Sequence, residues 1–179
     1  IGTGPGFFPV ILAEAGYHVD AVDYTEGMLE KAKENAGELC RNIHFQRMDA
    51  QKLDFEDNTF DVVISRNLTW NLEHPDVAYR EWVRVLKVGG RLLNFDANWY
   101  GYLYEEEQRK AYENDRKNVE NNSLDDHYLC TDIERMERIA LQVPLSKISR
   151  PQWDVKTLRE AGLLGIRTDT EIWKTVWSE

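Results

Sequence analysis

The chain has 179 residues, 42% of them hydrophobic, with 32 acidic against 22 basic side chains and a formal net charge of −10. This suits one α/β-sized domain with a single core, and the negative field repels nucleic-acid phosphates and anionic membranes, so a small-molecule partner is expected and no nucleic acid or membrane. No apolar run approaches the roughly 18 residues that a membrane span requires, and two distant cysteines, Cys40 and Cys130, make no disulfide framework, which fits a reducing, cytoplasmic setting.

The chain opens inside a glycine loop, Gly2-Thr3-Gly4-Pro5-Gly6. Such a loop normally follows a buried strand, so the sequence reads as a fragment whose first strand is expected before residue 1. Residues 7–15 set Phe8, Ile11, Leu12 and Ala15 on a helical stripe closed by Gly16, with Pro9 in the first turn. A strand is predicted over 17–23, then a helix capped by Thr25 that carries Met28, Leu29, Ala32 and Ala36 and stops at Gly37. Residues 42–48 are extended, with Ile43 and Phe45 two apart, and 60–65 reads as a buried parallel strand. Pro75 starts a helix through Lys87 that ends at Gly89-Gly90, and 91–97 supplies the next strand. Repeated β-α-β alternation predicts a doubly wound, mostly parallel sheet.

The pattern changes after Trp99. A long charged helix is expected over 104–121 and a second, capped by Asp132, up to Val143 before Pro144. A short helix from Asp154 to Gly162 and an extended stretch over 165–173 then predict a return to the sheet. The organisation expected is a core over 1–98, a helical insertion over 99–153 forming a lid or wall, and a return to the sheet over 154–179, all in one domain.

Chemistry gathers in loops that follow strands, where open α/β sheets hold ligands. Missing β-carbons at Gly2, Gly4 and Gly6 let backbone approach a ligand, and the following helix offers free amides. A dinucleotide fingerprint needs a further small residue where this chain has Phe7, which disfavours a bound pyrophosphate. Asp23 ends the next strand about 20 residues on, the place from which a carboxylate accepts from ribose hydroxyls.

These residues, with the segments Val22-Asp23-Tyr24-Thr25-Glu26-Gly27-Met28-Leu29, Met48-Asp49-Ala50-Gln51-Lys52-Leu53, Phe60-Asp61-Val62-Val63 and Leu86-Lys87-Val88-Gly89-Gly90, resemble class I S-adenosylmethionine-dependent methyltransferases of the small-molecule, ubiquinone-methyltransferase-like group. The resemblance covers about residues 1–97 and implies a Rossmann-like methyltransferase fold with S-adenosylmethionine as cofactor. It implies that Gly2, Gly4 and Gly6 run beneath the methionine and ribose, that Asp23 holds the ribose hydroxyls and Met28 packs near adenine, and that Thr3 and Tyr24 also belong to the cofactor-binding set. Asp49 would accept from the adenine amino group, Ala50 would add a backbone amide, and Arg66 and Asn67 would line the floor near the sulfonium. Asp61 is given a structural role.

Methyl transfer from a sulfonium rests mainly on positioning. A general base matters only for an acceptor that keeps its proton, and His74, Asp96 and His127 are the weak candidates. Asp96, Trp99 and Tyr100 are the expected acceptor site, with Tyr102, Tyr104, Tyr128 and Trp153 as further aromatic surfaces suited to flat or cationic ligands. Neither His127 with Cys130 and Asp132 nor Cys40 with His44 completes a zinc set, so no metal is expected. Two other readings stay open: an NAD-dependent oxidoreductase, and a non-catalytic nucleotide-binding protein of the same fold.

Overall fold

The computed structural model describes residues 1–122 and 132–172. After the glycine loop come α1 (Phe7–Glu14), β1 (Val19–Asp23), α2 (Glu26–Ala36), β2 (Ile43–Arg47), β3 (Phe60–Arg66), α3 (Pro75–Arg84) and β4 (Leu86–Phe95). The alternation is as expected, and so is the parallel pairing: β1 joins β2 from Val19↔Ile43 to Asp23↔Arg47, and β3 joins β4 out to Arg66↔Phe95. The expected single sheet is instead two two-stranded parallel sheets among the described residues. Residues 1–3 lie between them, the Ile1 nitrogen donating to the Ile64 carbonyl at 2.7 Å and the Thr3 amide to the Val22 carbonyl at 3.0 Å. One bond to each side is too little for a ladder, which is why the two pairs do not merge.

Two boundaries moved for identifiable reasons. The third helix stops at Arg84 rather than Lys87 because β4 already starts at Leu86. Phe60 pairs with Leu86 and Val62 with Arg91, so a step of two on β3 spans a step of five on β4, and Lys87 to Gly90 form the bulge between. Asp61 clasps that bulge through Lys87 Nζ at 2.8 Å, the structural role expected of it, and this hydrogen bond and charge hold its carboxyl below the usual range. Thr25 occupies the N-cap position of α2 but makes no side-chain cap bond; its own amide instead donates to Asp23 Oδ1 at 2.9 Å.

The main core forms on one face of α3. Ala78, Tyr79, Trp82 and Val85 are fully buried there, a spacing that puts them on one helical stripe, and they pack with Val22, Leu53, Val63, Leu86 and Leu158. Trp82 also donates from Nε1 to the Ala50 carbonyl at 2.9 Å, tying the core to the loop after β2. A smaller cluster of Ala13, Ala21, Ala36 and Ile43 seals α1 and α2 against the first strand pair.

Beyond β4 the described residues include α4 (Glu106–Asn122), α5 (Ile133–Ala140) and α6 (Gln152–Glu160). Asp132 does cap α5, accepting from the Arg135 amide at 2.9 Å. The last helix starts before Asp154, which is turned inward and largely buried. The extended return expected over 165–173 is not a strand in its described part, since no residue from Leu163 to Thr170 belongs to one. Among the described residues no helix is long and apolar enough to cross a membrane.

A buried charge network joins the segment just after β4 to the start of α6. The Arg150 guanidinium sits between Asp96, at 3.1 Å, and Asp154, at 2.6 Å, with side-chain exposures of 8%, 2% and 12%. Burial works against its charge, yet the hydrogen bonds and charge of Asp154, with Asp96, raise its pKa above the ordinary arginine value. Tyr79 donates to Asp154 Oδ1 and accepts from Asn94, which also bonds Thr69. Burial, then Asp154, pushes the Tyr79 hydroxyl above its usual pKa, so it stays a donor.

Two stability effects follow. Trp82→Ala empties the centre of the α3 core and is expected to cost about 3–5 kcal/mol in urea unfolding. Arg150→Met strands two buried carboxylates and should cost about 3–5 kcal/mol by the same measurement, far more than an exposed arginine such as Arg80.

Candidate cofactor and acceptor site

The glycine loop closes on itself through the Gly6 amide, which donates to the Thr3 carbonyl at 3.0 Å. Gly4 has φ +52°, and a β-carbon there would meet nothing within 4 Å. The backbone at Gly4 therefore faces open space on a surface that a ligand can approach closely. Gly2 is constrained from the other side, since its β-carbon would lie 2.6 Å from Leu68 Cδ2. The loop is thus wedged against the turn that follows β3.

Asp23 organises this region. Its Oδ2 accepts from the Gly4 amide at 2.8 Å and its Oδ1 from the Thr25 amide at 2.9 Å. Each carboxylate oxygen keeps further acceptor capacity. Tyr24 and Met28 are exposed, at 66% and 45%, and Arg47 lies over the Tyr24 ring while donating to the Tyr24 carbonyl at 3.0 Å. Asp49 Oδ1 accepts from both the amide and the side chain of Gln51, at 2.8 and 3.2 Å. The same Gln51 accepts from the His74 amide at 2.6 Å, so it latches Asp49 to the entrance of α3. Sequence reasoning passed over Gln51, although its place two residues after an acid is where an Asx-type turn puts such a latch. Ala50 is buried, with its carbonyl held by Trp82.

On the far side of the loop, Arg66 ends β3 and lies over Phe7. Asn67 follows with φ +52°, a conformation that asparagine tolerates, and its carbonyl accepts from Trp70 Nε1 at 3.1 Å. Asn67, Trp70, Trp99 and Tyr100 line a cavity of about 280 Å³. The Trp70 and Tyr100 rings are 5.3 Å apart, and Trp99 is half exposed. Sequence reasoning missed Trp70, an aromatic residue four positions beyond Arg66 in a loop that follows a strand. A larger cavity, about 370 Å³, lies between α3 and α6 and includes none of the loop, Asp23 or Asp49; on its lining Arg80 pairs with Asp76 and Lys156 with Glu160, each within its own helix.

The remaining sequence candidates divide. Asp96 does not present its carboxylate to the cavity. Oδ2 accepts from the Trp70 amide at 2.9 Å and faces Arg150, and Oδ1 accepts from the Ala97 amide at 2.9 Å. This corrects the expectation of a base or acceptor contact, since Asp96 instead fixes the backbone that carries the aromatic wall. His74 sits at the N-cap position of α3 with its ring exposed beside Glu73. Trp153 packs on Tyr79, ring centroids 5.7 Å apart, and Tyr102 stacks on Tyr112 at 4.1 Å, so both rings serve packing. His127, Tyr128 and Cys130 lie outside the described residues.

With this geometry in view, the comparisons with known proteins agree on one family. Residues 1–94 match the family model described as a methyltransferase domain. A demethylmenaquinone methyltransferase of Clavibacter sepedonicus is 37% identical over 93 residues, covering 52% of this chain and 38% of the relative. The crystal structure of an S-adenosylmethionine dependent methyltransferase from Mesorhizobium loti is 25% identical with a TM-score of 0.51, covering 56% of this chain and 47% of that one. A chain in the complex of the Haloferax volcanii Trm112 methyltransferase activator, 21% identical, covers 90% of this chain and 58% of its own length with a TM-score of 0.63, which shows a shared fold. The chain spans less than half the length of the curated relatives it matches. With the glycine loop, Asp23 and Asp49 arranged as described, it belongs to the methyltransferase-domain family, the class I S-adenosylmethionine-dependent methyltransferases.

Proposed function

We propose that the protein transfers a methyl group from S-adenosylmethionine to a small-molecule acceptor in the cytoplasm, with the acceptor held against Trp70, Trp99 and Tyr100. The observation that carries this reading is the Asp23 carboxylate, which holds the open Gly4 surface and retains capacity for ribose hydroxyls. The site fits such a cofactor in two further respects. Asp49 engages its Oδ1 through Gln51, leaving Oδ2 for an adenine amino group. Tyr24 and Met28 offer exposed apolar surface nearby in sequence.

When bound, S-adenosylmethionine supplies a methyl group that is already electrophilic. The protein's part is then to orient and to exclude water. Asp23, Asp49 and the glycine loop hold the nucleoside. The aromatic cavity begins at Asn67, next to Arg66, so an acceptor in it adjoins the cofactor side. Its four lining residues include no carboxylate, imidazole or amine, which favours positioning over proton transfer as the main rate effect. The 99–153 insertion contributes the far wall through Trp99 and Tyr100, and its register on β4 is set by Arg150 with Asp96.

Isothermal calorimetry on the full-length protein should show S-adenosylhomocysteine binding and no response to NAD; tight NAD binding alone would overturn this reading in favour of an oxidoreductase. Asp23→Ala should weaken S-adenosylhomocysteine by about tenfold or more, the scale of a lost charge-assisted hydrogen bond, with an unchanged affinity counting against the ribose assignment. Trp99→Ala should raise KM for the acceptor while leaving cofactor affinity as it was.

A further inference from the structure

The cofactor reading leaves the charge of Arg66 unexplained. A permanent cation beside a sulfonium opposes binding of the charged methyl donor, because like charges at short range in a partly dry site repel strongly. Arg66 nevertheless stands at the mouth of the site, at the end of β3, in the turn whose Leu68 abuts Gly2.

Its side chain is held in a defined way. The guanidinium carbon lies 4.8 Å from the centroid of the Phe7 ring. Phe7 meets Phe8 edge to face at 5.2 Å, and Phe8 stacks on Phe95 at 5.5 Å. Phe95 is the strand partner of Arg66 itself, so the rings form a circuit that returns to the backbone beneath the arginine. Stacking uses the flat face of a guanidinium and leaves its N–H edge free. No N–H of this group hydrogen-bonds to a described residue, and no described carboxylate pairs with it. The arrangement presents a planar, bidentate donor to an anion and supplies none from within the described residues.

Asp23 and Asp49 stand at the ends of β1 and β2, and Arg66 stands across the glycine loop at the end of β3. A nucleoside held by the two acids would leave the other end of the cofactor to reach across the glycine loop toward Arg66. That end carries the cofactor's only carboxylate. We infer that Arg66, clamped over Phe7, binds the α-carboxylate of the cofactor's methionine moiety, and so selects the amino-acid end rather than the methyl-bearing sulfur. The inference rests on the S-adenosylmethionine reading and assigns Arg66 a different contact from the floor beneath the sulfonium.

The test compares S-adenosylmethionine with decarboxylated S-adenosylmethionine, which lacks only that carboxylate, by calorimetry on the full-length protein. The unaltered protein should prefer the intact compound by about tenfold or more, the scale of a charge-assisted bidentate pair. Arg66→Met should erase the preference by weakening the intact compound alone, and Arg66→Lys should restore part of it. Because Arg66 is exposed, these variants should melt as the unaltered protein does. An undiminished preference in Arg66→Met, or an equal loss for both compounds, overturns the inference while leaving the cofactor reading intact. Failure of the unaltered protein to bind either compound overturns both.

Discussion

The carboxylate of Asp23 is the point on which the binding region depends. It ends β1, takes the Gly4 amide with one oxygen and the Thr25 amide with the other, and so joins a strand, the glycine loop and the start of α2. Hydrogen bonds to an ionised acceptor are roughly twice as strong as neutral ones, and here they also spare two backbone donors from going unpaired. The loop can then keep Gly4 open to solvent without collapsing onto the strand. A residue that supports the loop is thereby placed to contact whatever the loop receives.

A second constraint acts across the sheet. The Asp96, Arg150 and Asp154 cluster is nearly dry, and buried charges are costly unless each is paired and hydrogen-bonded. Here Tyr79, the Trp70 amide and the Ala97 amide complete the pairing. Asp96, just after β4, and Asp154, on α6, are thereby held in one register through Arg150. The aromatic wall inherits that register through the backbone of Trp70.

Much of the fold was legible because it follows from periodicity. The stripe on α3, the parallel strand pairs and the Asp132 cap all express local rules of spacing and capping. The misses have a common origin in partners distant along the chain. Asp96 looked like a pocket acid because it follows a strand among aromatic residues, but Arg150, 54 positions away, claims it. Gln51 was given no role of its own from the sequence, and its bond to the His74 amide forms across the fold. Thr25 had the right residue type for a cap, and Asp23 supplied the bond from outside the helix.

The sequence by itself determined the family and the α/β alternation, because the glycine spacing and the acids after successive strands are local patterns that need no distant partner to be read. Only the tertiary structure decided that, among the described residues, the strands fall into two pairs with residues 1–3 between them, that Asp96 is a buried anchor, and that Arg66 rests on Phe7 with no described residue taking its donors. Each of those depends on which side chains meet across the fold. A side chain's protonation, exposure and free hydrogen-bonding capacity are set by its neighbours in space, which spacing along the chain does not specify.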